Sequence, residues 1–159
     1  MEKTRIAMVL LLGIVLISGL ACSILIDTEV EYAGIDMEPT IMKGQVCTVS
    51  ERNYVLSDPK RGEVVLFTID DNSFMLRVIG LPGETIIIED GAVSVDGTIL
   101  NEPYLPKGTT TESDTKEFEV LEDFYFLMGD NRMQSYDSRK AGSIPLDTIE
   151  AQVLRCEWK

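Results

Sequence analysis

Between Ile6 and Ile26 the chain carries 21 consecutive residues without a charge, mostly Leu, Ile, Val, Ala and Gly. A helix that crosses the hydrocarbon core of a bilayer needs about 20 such residues. Lys3 and Arg5 precede the run, and Asp27, Glu29 and Glu31 follow it. Basic flanks stay on the cytoplasmic side. The expected layout is therefore a cytoplasmic tail over residues 1–5, a transmembrane helix over 6–26 and an extracytoplasmic domain over 27–159, held by a single pass in the cell membrane. A cleaved secretory signal would have a shorter apolar region, of roughly 7–15 residues. A lipoprotein signal ending at Cys22 fits poorly, because Gly19 stands where a large aliphatic residue is expected.

Beyond the apolar run the pattern changes to short strands. Gln45–Ser50, Glu63–Ile69, Phe74–Ile79, Thr85–Glu89, Ala92–Val95, Phe124–Met128 and Gln152–Trp158 are rich in Val, Ile, Phe and Thr. Asp90-Gly91 and Asp96-Gly97 are tight-hairpin dipeptides and predict a meander that includes Thr98–Leu100. Asn101–Thr115 carries two prolines, a glycine and a Thr/Ser/Asp cluster and reads as a surface loop. A short helix is expected between Ser143 and Glu150. Many short strands with no long amphipathic helix place the domain in the all-β class, as a sandwich or barrel.

The formal charge is −13, from 14 basic and 27 acidic residues, so nucleic acid is excluded as a partner by phosphate repulsion. With no histidine, His-based triads and most zinc sites are excluded as well. Three widely spaced cysteines form no metal motif, and no cofactor is expected. Cys47 and Cys156 lie on the first and last predicted strands of the body. They are either bridged, if those strands are neighbours in an oxidising compartment, or are buried free thiols.

Four segments resemble the boxes of type I signal peptidases. Gly34-Ile35-Asp36-Met37-Glu38-Pro39-Thr40 resembles the Ser-Met-x-Pro-Thr box, and Met75-Leu76-Arg77-Val78-Ile79-Gly80-Leu81-Pro82-Gly83-Glu84 the Lys-Arg-Val-Ile-Gly-x-Pro-Gly-Asp box. Arg61-Gly62-Glu63-Val64-Val65-Leu66-Phe67 resembles an Arg-Gly-Asp-Ile-Val-Val-Phe strand, and Gly129–Arg139 follows Gly-Asp-Asn-Arg-x-x-Ser-x-Asp-Ser-Arg almost letter for letter. Asn101-Glu102-Pro103-Tyr104 matches a weaker turn. The single apolar run and short body are similar to the compact Gram-positive members. The resemblance implies an all-β catalytic domain at the outer membrane face that takes an extended peptide, with small residues before the cut, as an added strand.

In that family the serine attacks the scissile carbonyl and a neutral lysine takes its proton. The matching positions here are Asp36 and Leu76. Leucine accepts no proton, and a carboxylate attacks amides poorly. Nucleophile and base act as a unit, so loss of either costs several orders of magnitude in rate. Arg77 adjoins the missing base but does not deprotonate. Thr40 lies four residues past the nucleophile position. An aspartate dyad of Asp36 with Asp130 or Asp137 would need the carboxylates about 3 Å apart. The resemblance assigns supporting roles to Ser135, Asp137, Arg139 and Asp130. The positions expected to line the peptide path are Gly34, Met37, Pro39, Met75 and Arg77.

Three functional expectations follow. The first is a catalytically impaired relative that binds extended peptides or assists the assembly of surface proteins and pili, since dyad-lacking Gram-positive members of the family serve that way. Its partners would be a secreted pre-protein or pilin-like segment, with a sortase or an active signal peptidase nearby. The second is an active signal peptidase that removes leader peptides from pre-proteins. The third is a membrane-anchored structural domain that binds no peptide.

Overall fold

Strand β9, Phe124–Met128, is apolar at every position, and four of its five side chains are buried. Successive side chains of a strand point to opposite faces. Tyr125 and Leu127 therefore enter one hydrophobic cluster, while Phe126 and Met128 enter a second. A strand that feeds two cores must lie between two layers, and the rest of the architecture is arranged around it. The computed structural model describes residues 27–159; the expected transmembrane helix lies outside the described residues. Among the described residues no helix is long and apolar enough to cross a membrane.

Eleven strands form two antiparallel sheets among the described residues. The larger sheet contains β1 (Thr28–Glu31), β2 (Val46–Ser50), β3 (Val64–Ile69), β4 (Asn72–Gly80), β9, β10 (Ile144–Pro145) and β11 (Ile149–Glu157), in the order β1-β2-β11-β3-β4-β9-β10. The smaller sheet is the predicted meander, β5 (Thr85–Glu89), β6 (Ala92–Val95) and β7 (Thr98–Ile99), extended by β8 (Glu117–Glu119) in the order β7-β6-β5-β8. The all-β expectation is met. Ile86, Ile88, Val93 and Val95 alternate inward from β5 and β6 and pack on Ile79, Phe126 and Met128. Gly80 lies where the layers come closest: a Cβ there would sit 2.8 Å from Ile86 Cδ1 and 2.9 Å from Phe126 Cβ. Only glycine fits that approach.

Several elements differ from expectation for identifiable reasons. β4 starts at Asn72 because Asp70 and Asp71 both adopt positive φ, at 48° and 62°, and close a hairpin without glycine. β11 starts at Ile149, three residues early, and the expected helix shrinks to a 3-10 turn over Leu146–Thr148. Two short helices, α1 (Arg52–Leu56) and α2 (Ser138–Ala141), have too few residues to show a periodic signal. β1, β8 and β10 are too short or too polar to stand out, and only pairing with neighbours defines them.

β2 and β11 pair with Cys47 directly opposite Cys156, and the two are joined by a disulfide with a Cα separation of 4.0 Å. The sequence left bridge and free thiols open; the pairing of first and last body strands decides for the bridge. It closes a loop with a sequence separation of 109 residues, a large restriction of the unfolded chain. Four tyrosines are also tied into the packing. Burial pushes the Tyr32 phenol up to about 12, with a smaller push from Asp36. Burial raises Tyr54 and Tyr104, each further raised by an accepting carboxylate, Glu63 and Glu102 respectively. Tyr125 is raised mainly by burial.

Replacing both Cys47 and Cys156 by serine is expected to lower unfolding free energy by about 2–4 kcal/mol, read from urea denaturation. An unchanged denaturation midpoint would show that the bridge contributes nothing. For the tyrosines, the folded values lie above the ordinary phenol value of about 10. Their stabilisation is therefore complete below pH about 10 and is lost as pH rises through the folded values. In an alkaline titration, phenolate absorbance from Tyr32, Tyr54, Tyr104 and Tyr125 is expected to appear together with the loss of circular dichroism. Full phenolate absorbance in a chain that stays folded would contradict this.

Candidate functional site

The turn that holds Asp36 is clamped onto the turn that follows β9. Asn131 donates its backbone N–H to the Asp36 carbonyl at 2.8 Å and its side-chain amide to the Ile35 carbonyl at 3.0 Å. The Tyr136 N–H reaches Asp36 Oδ1 at 3.2 Å. Thr40 Oγ1 donates to Asp130 Oδ2 at 2.5 Å. Met37 is fully buried beneath the turn and donates its N–H to the Tyr32 hydroxyl at 2.9 Å. Gly129 makes this closeness geometrically allowed, because a Cβ there would overlap the Asp36 carbonyl and Ser135 Oγ.

Beneath this clamp lies a buried ionic network. Arg77 reaches from β4 to Asp130 with two bonds, Nε to Oδ1 at 2.8 Å and Nη2 to Oδ2 at 2.6 Å. Its Nη1 donates to the Gly62 carbonyl at 2.7 Å, and the guanidinium lies 4.0 Å from the centre of the Tyr104 ring. Tyr104 in turn donates to Glu102, which pairs with the buried Arg132. Asp137 forms a second two-pronged pair, accepting from Arg139 Nε and Nη2 at 2.8 Å each. Its Oδ2 also accepts the Gly129 N–H at 3.0 Å. Asp130 and Asp137 each accept two hydrogen bonds from an arginine, whereas Asp36 accepts one from the Tyr136 N–H.

At the two dyad positions the geometry is plain. Leu76 is 4% exposed and belongs to the larger core. Asp36 is half-buried, with Oδ1 held by Tyr136 and no hydrogen bond to Oδ2 among the described residues. Ser135 is buried, and its Oγ has no hydrogen-bond partner among the described residues. An orphaned buried hydroxyl costs about 1–3 kcal/mol.

Two cavities flank this region. One, of about 210 Å³, lies between Tyr32–Gly34 with Asp36 on one side and Ser73–Met75 on the other, above Leu66 and beside Val30 and Glu31. The other, of about 230 Å³, is lined by Phe67, Phe74, Leu76, Tyr136, Asp137 and Ile144 among others. Phe74 lines both and is 42% exposed. β4 pairs with β3 from Asn72 to Arg77 but meets β9 only at Arg77, Val78 and Gly80. Among the described residues, the edge of residues 72–76 on the β9 side therefore has no strand partner.

Among the residues expected along a peptide path, Gly34 and Met75 line the first cavity, together with Asp36 of the dyad position. Met37, Pro39 and Arg77 do not line it: Met37 is core, Pro39 is exposed, and Arg77 is committed to Asp130. Sequence reasoning did not single out Tyr32, Phe74, Tyr136 and Asn131. Only Asn131 and Tyr136 carried a usable signal, their place within the Gly129–Arg139 box; Tyr32 and Phe74 are ordinary strand-type aromatics whose role appears only in three dimensions.

The chain matches the family described as signal peptidase, peptidase S26, over residues 4–158. It is 33% identical over 130 residues to a probable signal peptidase I-2 of Synechocystis sp. (strain ATCC 27184 / PCC 6803 / Kazusa), covering 77% of this chain and 59% of that one. It is 35% identical over 135 residues to the signal peptidase I V of Bacillus subtilis (strain 168), covering 77% of this chain and 79% of the relative. A crystal structure of a signal peptidase I from Enterococcus faecalis V583 aligns with a TM-score of 0.51 at 30% identity, over 62% of this chain and 98% of that one. The matched stretch spans 59% and 62% of the Synechocystis protein and of the Bacillus amyloliquefaciens signal peptidase I. With four boxes in order, the same β architecture and a match along nearly the whole length, the chain belongs to the signal peptidase family, peptidase S26.

Proposed function

We propose that this chain is a non-cleaving member of its family that binds extended peptides at the outer face of the cytoplasmic membrane and assists the assembly of surface proteins, pili included. The observation that carries the reading is the pair of residues at the reaction centre. Position 36 holds a carboxylate bonded to the Tyr136 N–H, and position 76 holds a core leucine. No lysine lines either flanking cavity, and the sequence has no histidine. The unpartnered Ser135 hydroxyl is what the loss of a lysine amine would leave behind. The open edge of β4 beside the cavities supports binding, because strand addition needs free backbone donors and acceptors along one edge. The Cys47–Cys156 bridge supports an oxidising, extracytoplasmic setting. A pre-protein or pilin-like segment would be the ligand, with a sortase or an active signal peptidase as neighbour.

Family membership favours a second reading, active cleavage of leader peptides from secreted pre-proteins. An assay of the full-length chain with a pre-protein separates the two. No product above background is expected, a deficit of roughly 10⁴-fold or more against an intact nucleophile–base unit. Joint replacement Asp36→Ser and Leu76→Lys is expected to restore some turnover where neither change alone does. A specific cleavage product from the unaltered chain, abolished by Asp36→Asn, would establish the second reading.

A further inference from the structure

The first cavity is walled mainly by apolar groups, Val30, Leu66, Phe74 and Met75 among them, yet two acidic residues, Glu31 and Asp36, are among those that line it. No lysine or arginine among the described residues lines it. Glu31 is exposed at the rim, whereas Asp36 is half-buried. Its Oδ1 accepts from the Tyr136 N–H, and Oδ2 has no hydrogen bond among the described residues. A carboxylate facing an apolar recess is poorly served by an apolar occupant, which would displace its water and return no counter-charge. A cationic occupant supplies what the lining lacks.

We infer that this groove selects extended segments that present a lysine side chain, with the ammonium on Asp36 and the aliphatic stem along Phe74, Met75 and Leu66. This rests on the peptide-binding reading above and names its ligand chemistry. A peptide added to the free edge of residues 72–76 sends alternate side chains to the same face, so one of them enters the cavity. Lysine buries its stem on apolar surface while keeping its charged head at a polar group. Arginine suits the site less well. Its planar fork is matched by two free carboxylate oxygens, and Asp36 offers one, whereas an ammonium acts as a point charge on a single oxygen. Small neutral side chains, which the family resemblance implies before a cut, would leave Asp36 without a counter-charge. The substitution at position 36 would therefore change selectivity as well as remove the nucleophile.

The test uses the full-length chain and labelled nine-residue peptides of alternating Ala and Thr with one central variable position, read by fluorescence anisotropy. The central Lys peptide is expected to bind about tenfold tighter than the central norleucine peptide, a difference of about 1.4 kcal/mol. Central Arg should fall between them, and central Glu should bind weakest. Asp36→Asn keeps an oxygen for the Tyr136 N–H and should equalise Lys and norleucine. Equal binding of Lys and norleucine to the unaltered chain, or a Lys preference that survives Asp36→Asn, overturns the inference and leaves the peptide-binding reading standing. If no peptide of the series binds, the groove reading falls and this inference falls with it.

Discussion

The two-pronged pair between Arg77 and Asp130 is the contact on which the site depends. Both side chains are almost wholly withdrawn from solvent. Ions so placed cost several kcal/mol each in lost hydration, offset only when geometry is good and the remaining donors are satisfied. Here they are satisfied. Gly62 takes the third arm of the guanidinium, Tyr104 covers its face, and Thr40 donates to the carboxylate. Removing one partner would strand the other, at about 3–5 kcal/mol. The pair links β4, the turn after β9 and the turn that carries Asp36. These are the three pieces that must meet for a dyad to exist in an active relative. They are held together here although positions 36 and 76 carry Asp and Leu.

A second consequence concerns how the network is distributed. Arg132 pairs with Glu102 and bonds Thr111, so the long loop between β7 and β8 is tied to the same turn as Asp130. Asp137 and Ser138 accept the Gly129 and Leu127 N–H groups, capping donors that β9 cannot place in a ladder. The acidic and basic residues of the last box thus close off backbone groups and hold loops.

Much of this was readable from residues alone. The Asp-Gly hairpins, the alternating Ile and Val of β5 and β6, and the dense apolar run of β9 are local signals that report local geometry. The two substitutions were legible for the same reason, since they break an ordered set of boxes. What escaped depends on partners distant in sequence. Arg77 was placed on the peptide path because it adjoins position 76, but its long side chain turns to Asp130, 53 residues away. Met37 was expected to line the peptide path; packing draws it wholly into the core. The hairpin at Asp70-Asp71 lacks the glycine that usually marks positive φ, so β3 and β4 read as separate strands rather than one turn-linked pair.

The bridge between Cys47 and Cys156 has a mechanical meaning as well. Among the described residues, β1 is the outermost strand of its sheet and pairs only with β2. A pull on residue 27 directed away from the sheet would load β1 end-on, opening its ladder one hydrogen bond at a time. β2 is the next strand in line, and it is covalently fastened to β11, which lies deeper in the sheet. Peeling would stop there, because further separation must stretch covalent bonds rather than break hydrogen bonds. Tension entering through the N-terminal end of the domain is thus carried past the weak edge into the centre of the sheet. Tyr32–Gly34 and Asp36, which wall the first cavity, lie between β1 and β2 in the chain and so stand on the loaded side of the bridge.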